Sequence, residues 1–114
     1  NLETGDFYPA GGINSNDTDS FHNWSSNSRW AVVASRRDDG LYTRLYLAHL
    51  NGNGLFDKAF LLPQKNPGKY YAEQMHSYNT PDFTSGNVRM DRHAIRKMVM
   101  SPERKSVKLE TNNP

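Results

Sequence analysis

Arg36-Arg37-Asp38-Asp39 sets two guanidinium groups beside two carboxylates in four consecutive residues. Arginines so placed can grip a carboxylate bidentately or donate to sugar hydroxyls, but they can also pair with the neighbouring aspartates in a solvated turn, which is the favoured reading. Asp38 and Asp39 lack a third or fourth oxygen ligand at loop spacing, so a cation site is disfavoured. His22, His49, His76 and His93 lie far apart, without the i, i+2 or i, i+4 pairing that gathers metal ligands on one element. No cofactor is implied. Thr84-Ser85-Gly86 lacks the preceding glycine of a nucleophile elbow, and Gly52-Asn53-Gly54 is not followed by the Gly-Lys-Ser/Thr of a phosphate loop. With no cysteine, thiol catalysis and sulfur-ligated zinc are excluded. Trp24 and Trp30 could form an aromatic ligand platform, although core packing is the stronger reading.

The elements that must position these residues are short strands. Trp30 to Ser35 is an apolar, partly β-branched run of strand length, suited to burial on both faces. Asp39-Gly40 supplies residues that accept positive φ in a turn. Leu41 to Leu50 then alternates, with Tyr42, Arg44, Tyr46, Ala48 and Leu50 on one face, and Arg44 to Leu50 is expected to pair antiparallel with Trp30 to Ser35 across the Asp39-Gly40 turn. Asn51 to Gly54 is a second turn, and Ala59 to Leu62 reads as a strand stopped by Pro63. Farther on, Tyr70 to Tyr78 suggests a short helix. Asp91 is a cap for a second, carrying Ala94, Ile95, Met98 and Val99 on one side. Ser106 to Glu110 alternates as a last strand.

These elements predict a mainly β chain: an antiparallel sheet followed by a tail with one or two short helices. Asn14 to Ser20 is too polar to offset its ordering entropy by burial and reads as a connecting loop. The expected division is 1–20 for a preceding connection, 21–64 for the sheet and 65–114 for the tail. The chain starts Asn1-Leu2 without methionine or signal-peptide pattern and reads as a piece of something longer. Its longest apolar run, Trp30 to Ala34, is far too short to span a bilayer. Charge is uneven: seven basic and nine acidic residues precede Val88, and seven basic and three acidic follow. Arg89, Arg92, Arg96, Lys97, Arg104, Lys105 and Lys108 carry that surplus, but few aromatics are interleaved, so nucleic-acid binding is disfavoured.

The stretch from His22 to Gly40 resembles a TolB-type β-propeller repeat. In that repeat an aromatic-Ser-Pro-Asp-Gly turn leads into a hydrophobic second strand that ends in Ser-Arg-Arg and an Asp-Gly hairpin. Trp24-Ser25 keeps the start of the turn, Asn27 stands for the aspartate, and Ser26 and Ser28 replace proline and glycine. Leu41 to Ala48 and Phe56 to Leu62 are similar to the third and fourth strands. Ser77 to Phe83 is similar to the ends of TolB-like envelope proteins of Bacteroidetes-type bacteria.

The resemblance implies one propeller blade plus a C-terminal tail, in the periplasm or cell envelope, binding a protein, peptide or glycan without catalysis. The alternative it leaves open is the propeller portion of a peptidase or polysaccharide lyase whose catalytic residues lie elsewhere. Trp24, Ser25, Trp30, Gly40 and Tyr46 then have structural roles. Arg36, Arg37, Asp38 and Asp39, with the Asp17 to His22 approach, would surround one mouth of the channel. An isolated blade exposes its faces, so either the tail folds over one of them or another copy of the chain does.

Overall fold

The computed structural model describes residues 2–103. The strand expected over Ser106 to Glu110 and the basic residues Arg104, Lys105 and Lys108 lie outside them. The chain divides into two compact units, Asn1–Phe83 and Thr84–Pro114.

The first unit is built on a four-stranded antiparallel sheet in sequential order: β1 (Asp19–Trp24), β2 (Trp30–Ser35), β3 (Arg44–His49) and β4 (Phe60–Leu61). The expected pairing holds, with Trp30 opposite His49 and Ser35 opposite Arg44. β1 starts at Asp19, inside the segment read as a connecting loop, because Asp19 and Ser20 pair with Ser35 and Ala34. The β2–β3 connection is longer than a tight hairpin. Gly40 donates its N–H to the Arg36 carbonyl and takes φ 69°, and the Asp39 carboxylate accepts the Leu41 and Tyr42 N–H groups. That carboxylate curls the chain before the strand begins, leaving Tyr42 in the loop rather than on β3.

Strand alternation sorts the side chains onto two faces. One carries Ala31 and Val33 from β2 with Tyr46 and Ala48 from β3; Ile13 and Ala59 complete this core, and Ala10, Phe56 and Leu61 pack against it. The N-terminal segment is therefore part of the core. Its chain turns at Ala10, whose carbonyl accepts from Ile13 and Asn14, and Gly12 docks on the chain beyond β3 by accepting the Ala59 N–H at 2.8 Å.

The opposite face carries Val32 and Ala34, both buried. After β4 the chain forms α1 (Pro67–Ala72), capped by the Asn66 side chain and started by proline. The helix read over Tyr70 to Tyr78 thus begins three residues earlier and stops at Ala72, because the Asn-Pro pair satisfies the first turn. Tyr71 on this helix is buried and donates its hydroxyl to the Leu62 carbonyl at 2.5 Å. The chain then returns across the sheet. Thr43 N–H donates to Ser77 Oγ and Tyr78 N–H to the Thr43 carbonyl, and beyond β2 the Asn23 amide donates to Asp82 Oδ1 at 2.8 Å. Since Asn23 pairs with Val32 and shares its face, residues 77–82 cross β2 there. Residues 77–82 thus run on the second-face side, whereas α1 sets Tyr71 against Arg44, which alternates with Tyr46 and Ala48 onto the first face.

In the second unit α2 (Arg92–Met100) is capped by the Asp91 carboxylate, which accepts from the His93 and Ala94 N–H groups. The expected packing of its apolar side is not found: Ile95, Met98 and Val99 are exposed. Among the described residues, this unit holds no second helix or strand to receive them. No helix among the described residues is long and apolar enough to cross a membrane.

Candidate functional site

The four-residue charged run separates into distinct roles. Arg37 folds back over the sheet. Its guanidinium donates to the Ile13 carbonyl, Asp19 Oδ1 and Ser35 Oγ, and lies 4.6 Å from the centre of the Tyr46 ring. Asp38 and Asp39 both pair with Arg44, which is buried beneath them over the Tyr71 ring. Arg36 is exposed, and its N–H anchors Thr18 alongside the loop. Asp17 also approaches here, beside Gly40. His22 does not join this group, because it sits farther along β1 opposite Val33.

Local hydrogen bonds explain two carboxylates. Burial pushes the Asp19 carboxyl up, but hydrogen bonds from Ser35, Ser15 and Arg37 outweigh it and hold the group below the ordinary range. Backbone N–H groups of Tyr42 and Leu41 do the same for Asp39.

The β1–β2 turn is closed by Ser25. Its N–H donates to the Trp30 carbonyl, its hydroxyl accepts the Trp30 N–H, and Asn27 Oδ1 accepts from both Ser25 Oγ and the Arg29 N–H. The left-handed residue is Ser28, at φ 54°, rather than Asn27. Trp30 packs on the second face against His49 and edge-on to Phe60, with ring centres 4.9 and 6.2 Å away. Trp24 departs from its expected core position. It is 42 % exposed, its ring tilted by 35° against Phe56 with centres 5.4 Å apart.

No protein-family model, curated protein or solved structure matches the chain.

Trp24 and His22 meet instead at a half-open groove of about 320 Å³ on the first face of the sheet. Ala31 and Val33 form its floor, Ala10, Ile13 and Asn14 one wall, and Asp19, Ser20, His22 and Trp24 the β1 side, with Phe56 closing the end. Sequence reasoning singled out His22 and Trp24 separately but missed the groove that joins them. Its wall comes from a segment in which Ala10 and Ile13 are separated by two glycines and followed by a polar run, with no strand or helix period. The arrangement offers an apolar floor, an exposed indole, the polar side chains of Asn14 and His22 and an aspartate, Asp19, already paired with Arg37, which suits binding.

Proposed function

We propose that this chain is a non-catalytic binding module, one blade and the following tail of a TolB-like β-propeller in the bacterial cell envelope, taking a protein, peptide or glycan ligand. The observation that carries the binding reading is the groove beside β1, where Trp24 and Phe56 stand over an apolar floor flanked by Asn14 and His22. Two backbone features support the blade. The four strands run antiparallel in sequential order. Ser28 is left-handed at the position where the family's turn carries glycine, the residue that adopts this conformation without steric cost. The envelope location rests on the family resemblance.

The test is the full chain on paired peptide and glycan arrays, with Trp24→Ala as the comparison. Retention of members of one class, lost in Trp24→Ala, is the expected result. If neither array shows binding that depends on Trp24, the reading falls.

A further inference from the structure

Resting on that binding reading, we infer that the groove beside β1 takes a neutral carbohydrate, with the apolar face of one pyranose ring on Trp24 and its hydroxyls on Asn14 and His22. The first ground is charge. Asp19 is the sole carboxylate lining the groove, and it is already bound by Arg37 at 2.9 Å and by Ser15. The groove therefore presents no uncompensated carboxylate to a cationic ligand, and neither lysine nor arginine lines it for an anionic one.

The second ground is hydrogen-bonding capacity. Among the described residues, the side chains of Asn14 and His22 have no partner, and each can both donate and accept. A sugar hydroxyl does both as well. Beside them the exposed indole, tilted against Phe56, supplies an aromatic surface for the C–H face of the ring. The volume of about 320 Å³ lies at the small end of the range for ligand sites, suited to one or two sugar units.

The third ground separates sugar from peptide. β1 is an edge strand, which an extended peptide could lengthen by main-chain pairing. Phe21, however, has φ 38° and shifts the register between Ser20 and His22, so the edge is interrupted beside the groove. A bulge of this kind blunts strand addition. Side-chain recognition of a carbohydrate needs no regular edge.

The test is calorimetric titration of the full chain with cellohexaose, maltohexaose and chitohexaose, and with array peptides. At least one oligosaccharide is expected to bind, with affinity insensitive to added salt. Trp24→Ala and the exposed His22→Ala should each weaken it by roughly tenfold or more, as loss of a central contact does. Trp24→Phe, which keeps a stacking ring, should retain most of the affinity and guards against a folding defect. Peptide binding without any oligosaccharide binding overturns the sugar inference and leaves the binding module standing. Sugar binding unchanged in both His22→Ala and Trp24→Ala puts the site elsewhere and overturns the inference too. Binding of neither class removes both.

Discussion

Arg37 Nη2 lies 2.9 Å from Asp19 Oδ1, tying the β2–β3 loop to the first residue of β1. Both side chains are largely buried, at 18 and 19 % exposure, and the same guanidinium holds the Ile13 carbonyl and Ser35 Oγ. Removing it leaves a carboxylate and a carbonyl without that donor. Arg37→Ala is therefore expected to lose about 2–3 kcal/mol, the scale for charged hydrogen bonds broken on one side. Arg37→Lys, which keeps the charge but not the planar fork, should fall between. Urea unfolding of the three proteins checks the order, and an Arg37→Ala midpoint equal to that of the parent would remove this tie from the account.

Acid should weaken the fold. Hydrogen bonds lower the Asp19 carboxyl against the opposing effect of burial, backbone N–H groups lower Asp39, and the His49 and Asn51 side chains lower Asp57. A carboxylate with a depressed native pKa stabilises the fold above its unfolded value, about 3.9, and that contribution is lost as pH falls through the native value. Stability is thus expected to hold from neutral pH down to about pH 4 on account of these groups, then to decline. Asp19→Asn should flatten part of the decline. Melting temperatures across the acid range measure it, and an unchanged slope in Asp19→Asn counts against the linkage.

The two tryptophans should separate in stability. Trp30 packs between His49 and Phe60, so Trp30→Ala is expected to cost about 2–3 kcal/mol, somewhat under the range for a fully buried ring. Trp24, with Phe56 as its ring contact, should cost about 1 kcal/mol or less. Denaturant melts decide this, and equal losses would place Trp24 back in the core.

Ser28 stores backbone strain that a glycine would relieve. Its φ of 54° places Cβ against the backbone, a cost of about 1–2 kcal/mol for an L-residue, while glycine gives back part of that gain as unfolded-chain entropy. Ser28→Gly should therefore stabilise the protein by about 0.5–1 kcal/mol. A lower melting temperature in this variant would show that the turn is held some other way.

How far the sequence was legible follows from the range of the interactions. β2 and β3 were readable because an apolar run and a strict alternation are local signals, and Gly40 and Asp91 were readable because turn and cap chemistry act over a few residues. The start of α1 carried the same kind of signal in Asn66-Pro67, but the aromatic pair Tyr70-Tyr71 drew the helix downstream. The groove was a different case. Arg37 meets Asp19, Phe56 meets Trp24 and Gly12 meets Ala59 through the tertiary fold, and no local spacing in the chain encodes those meetings. Ile13, just before the polar Asn14 to Ser20 run that reads as a loop, is 8 % exposed.

Gly12 is the position on which that wall depends. Its φ is not in the left-handed region, so the requirement is space rather than backbone freedom. A Cβ there would overlap the Phe56 carbonyl and stand 2.8 Å from the Asp57 carbonyl oxygen, and both obstacles are backbone that cannot swing aside. Relief requires the N-terminal segment to lift, which breaks the 2.8 Å bond from Ala59 N–H to the Gly12 carbonyl and draws Ile13 from the core. Overpacking costs about 1–3 kcal/mol and exposing a buried isoleucine about 1.5–3, so Gly12→Ala should lose about 3 kcal/mol after partial relaxation. Adjacent Gly11 faces open space, and Gly11→Ala should stay within about 0.5 kcal/mol of the parent. Lifting the segment also dismantles the Ala10, Ile13 and Asn14 wall, so Gly12→Ala should weaken any ligand held in the groove. Urea melts paired with limited proteolysis of the N-terminal segment test this. Equal stability and equal protease resistance in the two alanine variants would mean that the segment does not pack where Gly12 places it.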